Sequence, residues 1–298
     1  MKTMKAMCMF TVCAMCGLYG QEPPSQEKLE MLRRMIGMYI DTIADDHRNL
    51  APLSPTSILA FAQRNGIPTN TVTAIARELA EKEAEELEEN LPQVDVSFNH
   101  NAYARATSIL VAAQDIEQLP FLEKMSRSSS DHEICTWSAG SYIGIAGTNA
   151  LPFIRKTIED NKVNPHRIVQ VFSRKLSSLP AVDDESLAFL YGALEKESDV
   201  YTAQLVDEGL CKMLSGYSNS VQRLAVAERF ITPARPANPT REEQIAWLRM
   251  PPEERQAELS KDNARKYWTP IKNEIEKVPA DKRKNFRAKG ELLDPERK

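Results

Sequence analysis

The phrase Leu119-Pro120-Phe121-Leu122 returns 32 residues later as Leu151-Pro152-Phe153-Ile154, and 36 residues after that as Leu187-Ala188-Phe189-Leu190. Ile158-Glu159 and Leu194-Glu195 also stand at equal distances from the starts of their copies, while Met125 falls one residue early in the first. Self-similarity at a period of roughly 20–50 residues marks stacked supersecondary units, none of which can bury its apolar face alone. The unit is most legible from Ile134 to Asp160. Ile134, Trp137, Ala139, Ile143 and Ala146 recur there at helical spacing, and Gly147 supplies a stop that tolerates positive φ. Thr148 or Asn149 is then expected to cap a second helix with Pro152 in its first turn and Leu151, Ile154 and Ile158 as its apolar stripe.

From about Ala102 to Phe230 the chain resembles the HEAT-like family of helical repeats, whose second helices often open with an Ala-Leu-Pro phrase like Ala150-Leu151-Pro152. The resemblance implies an all-α chain of stacked antiparallel helix pairs, an α-solenoid. The fourth unit, at Val221-Gln222-Arg223-Leu224, is degenerate, and an irregular helical bundle with chance Leu-x-Phe phrases is the alternative architecture. Aromatic content of 7% and only 11 glycines suit helices better than a sandwich or barrel.

Residues 1–20 read as a signal peptide: Lys2 and Lys5, an apolar run from Ala6 to Leu18, then small residues before Gln21. That run is too short to span a hydrocarbon core, which takes about 20 residues. Cys8, Cys13 and Cys16 follow Met7, Val12 and Met15, where lipidation calls for a small residue, so export without a lipid anchor is the reading. Removing these residues takes away two lysines and no acidic residue and moves the net charge from −4 to −6. No transmembrane span is expected in the mature chain, and its acidity disfavours sequence-independent nucleic-acid binding. Of the two remaining cysteines, Cys135 and Cys211, each is expected to be a small buried side chain rather than half of a bridge.

The organisation expected is a leader (1–20), an N-terminal helical segment (21–100), the repeats (101–231), a proline-rich linker (232–240) and a charged C-terminal region (241–298). In the first segment Leu29, Leu32, Met35, Ile36, Tyr39, Ile40 and Ile43 form one stripe, with Met31 and Met38 as added core bulk, and Asp45-Asp46-His47 ends the helix. Ser54-Pro55 opens a short helix that stops near Asn65-Gly66, and Pro68-Thr69-Asn70 opens a longer one. The far half of the longer helix is strongly acidic; Glu81, Glu85 and Glu88 are candidate contacts for a basic partner, against the plainer reading of a solvated face. Residues 91–101 connect into the array, Ser126–Asp131 is a polar loop, and Asp183 or Asp184 caps a helix. Beyond the linker, Thr240 and Glu243 form a capping box, Pro251-Pro252 ends that helix, and Glu253–Trp268 is another. Trp247, Tyr267 and Trp268 are candidate partner contacts. From Ile271 onward the charge-rich tail is expected to be mobile or to fold only against a partner.

No catalytic motif, cofactor fingerprint or metal-ligand spacing is present. Gly140, Gly144 and Gly147 lack the order and the following Lys-Ser/Thr of a phosphate loop, and fit close helix packing. Ser138 and Ser141 lack the flanking glycines of a nucleophile elbow. Cys135 with Trp137, Asn161 and His166 does not match a thiol-protease pattern, and His47, His100, His132 and His166 form no paired ligand motif. The expectation is a secreted or periplasmic, non-catalytic scaffold for a protein or peptide partner. The alternative is an exported hydrolase or metal-dependent enzyme in which Asp45, His47, His132 or Cys135 converge in space.

Overall fold

The computed structural model describes residues 24–41, 53–90, 100–160, 163–231 and 240–286. The leader, Asp45-Asp46-His47, the connection at 91–99 and linker residues 232–239 lie outside them. Regular structure among the described residues is helical, apart from isolated bridge residues that include the parallel pair Ser220 and Lys284. None of these helices is long and apolar enough to cross a membrane. Packing divides the chain into two compact units, 1–141 and 142–298.

The first unit holds α1 (Gln26–Asp41), α2 (Pro55–Arg64), α3 (Thr69–Asn90), α4 (His100–Ala113), α5 (Leu119–Ser128) and most of α6 (His132–Ala146). Helix α4 is its centre, touched by α1, α2 and α3 alike, so its alanines serve close approach on several sides. Tyr103, Ala106, Ile109 and Leu110 are fully buried there. Arg105 Nη1 donates to the carbonyls of Tyr39 and Ile40 at 3.2 and 3.4 Å, placing a cation at the negative end of α1. The stripe of α1 is Leu32, Ile36 and Ile40; Met31 and Met38, expected in the core, are about half exposed. Ser54 makes a reciprocal capping box with Ser57 at the start of α2, and Gly66 adopts φ +67° just beyond its end.

The polar loop expected over Ser126–Asp131 is shorter than read, because α5 extends through Ser128 and only 129–131 link it to α6; Ser126, Ser129 and Asp131 are nonetheless buried. Burial is tolerated because each has a partner: Asp131 Oδ1 accepts from the Glu133 and Ile134 amides at 2.7 and 3.1 Å and so caps α6.

Helix α6 runs to Ala146 and stops at Gly147, φ +60°, where the sequence places its end. No cap from Thr148 or Asn149 follows. Residues Gly147–Ala150 form a 3₁₀ turn that continues directly into α7 (Leu151–Glu159), so its first amides need no side-chain acceptor. The first phrase is built alike: the 3₁₀ turn Ile116–Gln118 feeds α5 at Leu119-Pro120, and Phe121 and Leu122 are buried as Phe153 and Ile154 are. The third copy departs from this pattern. Asp183 caps α9 (Asp184–Lys196), which places Leu187 at its fourth residue with no 3₁₀ turn before it.

The second unit continues with α8 (Pro165–Leu176), α10 (Val200–Met213), α11 (Val221–Phe230), α12 (Arg241–Arg249) and α13 (Pro252–Glu276). Helices α8 and α10 lie side by side and α9 touches both. Close approach is required where they meet, since a Cβ on Gly209 would collide with Ser173 Oγ. The capping box of Thr240 and Glu243 forms as read from the sequence. The described part of the tail differs from expectation: α13 runs eight residues past Trp268, with Pro270 inside it, and packed structure includes Phe286. Ala264, Trp268 and Ile275, at most 1% exposed, bury one face of α13 against α10 and α11, which outweighs the charge around them.

Candidate functional site

The six residues singled out as partner contacts are divided between the units, with Glu81, Glu85 and Glu88 in the first and Trp247, Tyr267 and Trp268 in the second. Glu81 accepts from Arg77 at 3.1 Å, and Glu88 Oε1 accepts from Ser129 Oγ and the Ser130 amide at 2.7 and 3.2 Å, so Glu88 holds a loop of its own unit. Glu85 is exposed on α3, where its neighbours Lys82 and Glu86 pair at 3.1 Å. Glu81 and Glu86 are therefore matched by cations on their own helix. Trp247 is half-buried on α12.

Tyr267 and Trp268 are the two that the fold brings together, ring on edge at 4.9 Å, and both point inward. Trp268 is fully buried and stacks on Phe230 at 5.5 Å with 7° between the planes, so it is core rather than a contact surface. Tyr267 Oη donates to Asp207 Oδ2 at 2.9 Å.

Asp207 is the least anticipated residue of the unit. It sits in the buried stripe of α10 between Val206 and Leu210, fully removed from solvent. Arg223 of α11 satisfies it through Nε to Oδ1 at 2.9 Å and Nη2 to Oδ2 at 2.8 Å. A carboxylate, a guanidinium and a phenol from three helices thus share one ion pair. Burial opposes the charge on Arg223, but the hydrogen bond and attraction of Asp207 prevail and raise its pKa. Burial, then the Asp207 charge, raises Tyr267 and Tyr217 as well, and burial followed by the Asp207 charge lifts the Cys211 thiol to about 11. The signal in the sequence was a single acidic residue inside an otherwise apolar stripe.

These shifts carry a sign for alkaline stability. Tyr103, Tyr191, Tyr217 and Tyr267 are all raised above the ordinary phenol value of 10.0, mainly by burial. The unfolded chain therefore loses these protons first, and the stability they confer, intact below pH about 10, falls as pH rises beyond it. Absorbance at 295 nm should show their ionisation in step with loss of helical circular dichroism above that pH. Ionisation of all eight tyrosines with the helices intact would contradict this.

Concave surface of apolar character lies elsewhere in the same unit, where α7, α8 and α9 meet. A groove of about 460 Å³ is floored by Ile158, Val169, Ala188, Phe189 and Ala193. Phe189 packs edge-on against buried Phe172 at 5.8 Å, which fixes the floor. Gly192 leaves one wall open, since a Cβ there would meet nothing within 4 Å. At one end the exposed Lys196 stands with His166, whose Nδ1 lies 2.8 Å from Glu197 Oε1. Glu197, 7% exposed at its side chain, also accepts from the Ser198 and Asp199 amides at 2.7 and 2.8 Å. The lining suits an apolar anchor, and with His166 taken up by Glu197 the exposed Lys196 is the cation at that end available to an acidic neighbour.

Comparison of the chain with models of known families, with curated proteins and with solved structures returns no match.

His132 is exposed at the start of α6, while Cys135 is buried with its thiol directed at the Ser129 and Met125 carbonyls, at 3.5 and 3.8 Å. Asp45 and His47 lie outside the described residues. Among the described residues no group of three or more His, Cys, Asp or Glu is placed to hold a metal ion.

Proposed function

We propose that the chain is a non-catalytic scaffold, exported from the cytoplasm, that grips an apolar anchor of a protein or peptide partner in the α7–α8–α9 groove. The groove carries this reading: it is concave, apolar on its floor, and polar at one end only. Export is supported by the basic-then-apolar pattern of residues 1–20. A stack of antiparallel helix pairs of HEAT-like kind is supported by α8 and α10, alternate in chain order, lying side by side with α9 against both.

Gly192 gives the test. Because its position is helical and open, Gly192→Ala should raise stability by about 0.5–1 kcal/mol through helix propensity, and Gly192→Trp should fill the groove without a clash at Cβ. Peptides selected from a displayed random library against the unaltered chain are expected to share a large apolar residue beside an acidic one. Their affinity should fall at least tenfold with Gly192→Trp. Equal binding by both chains would remove the groove from the function, and failure to select any saturable peptide would remove the scaffold reading itself.

A further inference from the structure

The last described residues of the chain are held in a manner usual for bound peptides. After α13, residues 277–285 are mostly exposed, and the next buried side chain beyond Ile275 is Phe286. Three residues dock there. The Val221 amide donates to the Lys284 carbonyl at 2.8 Å, and the Lys284 amide donates to the Asn219 carbonyl at 3.1 Å, making the parallel bridge. Gln222 closes a fork: its Nε2 donates to the Phe286 carbonyl at 2.5 Å and to Asn285 Oδ1 at 2.8 Å, and its Oε1 accepts from the Phe286 amide at 3.3 Å. The Phe286 ring enters a pocket walled by Tyr217 and Tyr191, with centroids at 6.3 and 6.4 Å. Gly216, at φ +85°, lets the Lys284 stem lie over the backbone, since a Cβ there would come within 3.2 Å of Lys284 Cγ.

Main-chain bonds to the turn that leads into α11, one side-chain amide that reads the backbone, and a single aromatic pocket are the parts of a site for an extended peptide. We propose that the turn at Asn219–Val221, the Gln222 amide and the Tyr191–Tyr217 pocket form a recognition site for an extended peptide with an aromatic residue two positions after a long-stemmed one, and that Lys284-Asn285-Phe286 is its resident, displaceable ligand.

Displacement is local. Lys284 and Asn285 are exposed, so release of the segment uncovers one ring and leaves the buried face of α13 in place. Phe286 also offers no polar atom from its ring, and the buried hydroxyls of Tyr191 and Tyr217 have no partner among the described residues. An occupant that leaves two hydroxyls unpaired binds less tightly than the pocket allows. Tethering compensates, because a covalently attached ligand competes at an effective concentration of order millimolar. The site is distinct from the α7–α8–α9 groove and stands or falls separately from it.

The probe is a fluorescein-labelled peptide of residues 281–290, titrated by anisotropy into the full chain. The Phe286→Ala chain, whose own segment has lost its anchor, should bind it saturably and at least tenfold more tightly than the unaltered chain. The same peptide with alanine in place of its phenylalanine should not bind, and adding Gln222→Ala to the chain should weaken binding at least fivefold. A Lys284→Pro chain serves as the second receptor; it loses the amide that Asn219 accepts but keeps every buried side chain. Absence of saturable binding to either chain, with helical circular dichroism unchanged, would overturn the proposal. So would equal binding of the two peptides, or unfolding of both variant chains, which would make the segment part of the core.

Discussion

Arg223→Ala is expected to destabilise the second unit by about 3–5 kcal/mol, the cost of leaving a buried charge without its partner. The magnitude follows from the burial of Asp207, whose side chain is 0% exposed against 13% for Arg223, so water cannot take over the lost bonds. Asp207 would retain only the Tyr267 hydroxyl among these partners. Urea denaturation should show a lower midpoint at a similar slope. Replacing both charges together, as Asp207→Leu with Arg223→Met, should cost much less than Arg223→Ala, because neither charge is then stranded. A double variant as unstable as the single one would show that the loss comes from packing of the Arg223 stem rather than from charge.

Trp268→Ala is expected to cost about 3–5 kcal/mol, as for other fully buried aromatic side chains cut to alanine. It removes the ring stacked on Phe230 and the main anchor of α13, so hydrogen exchange should quicken along 260–276 before it does so in α8 or α10. Trp268→Phe should cost far less, since the indole nitrogen of Trp268 is itself buried without a partner. The pair of variants separates a core residue from a contact residue: a surface contact would lose partner affinity on substitution to alanine with stability unchanged.

Local chemistry was readable in the chain because its cause lies within a few residues. Gly147 stops a helix by its own φ, and Ser54-Pro55 and Thr240 with Glu243 start helices through bonds three residues long. Thr148 and Asn149 misled for the same reason, since the alternative to a cap, a 3₁₀ turn running into the next helix, satisfies the same amides without side chains. Long-range pairing left weaker traces. Asp207 is 60 residues from Tyr267 and Gln222 is 64 from Phe286, so neither contact has any local pattern. Ala264 and Trp268 fell in a helix that was expected, but the charges around Ile275 hid that the same stripe runs on into what read as a tail. Glu88 was indistinguishable from its acidic neighbours because only the return of Ser129 toward α3 gives it a task. The groove was invisible in sequence, for Gly192 and Ala193 matter by what they leave empty.

The 60 residues between Asp207 and Tyr267 also set an order of events during synthesis. Helices α10 and α11 are made well before the helix that covers them. At roughly 5–20 residues per second, Asp207 waits about 3–12 s for its third partner, and Phe230 waits for the ring that stacks on it. In that interval the nascent chain displays the apolar faces of α10 and α11 uncovered, a surface that a chaperone would meet and that neighbouring nascent chains would also meet. Codons that slow translation between 231 and 268 would lengthen that exposure, and a chain stopped within them would carry it permanently.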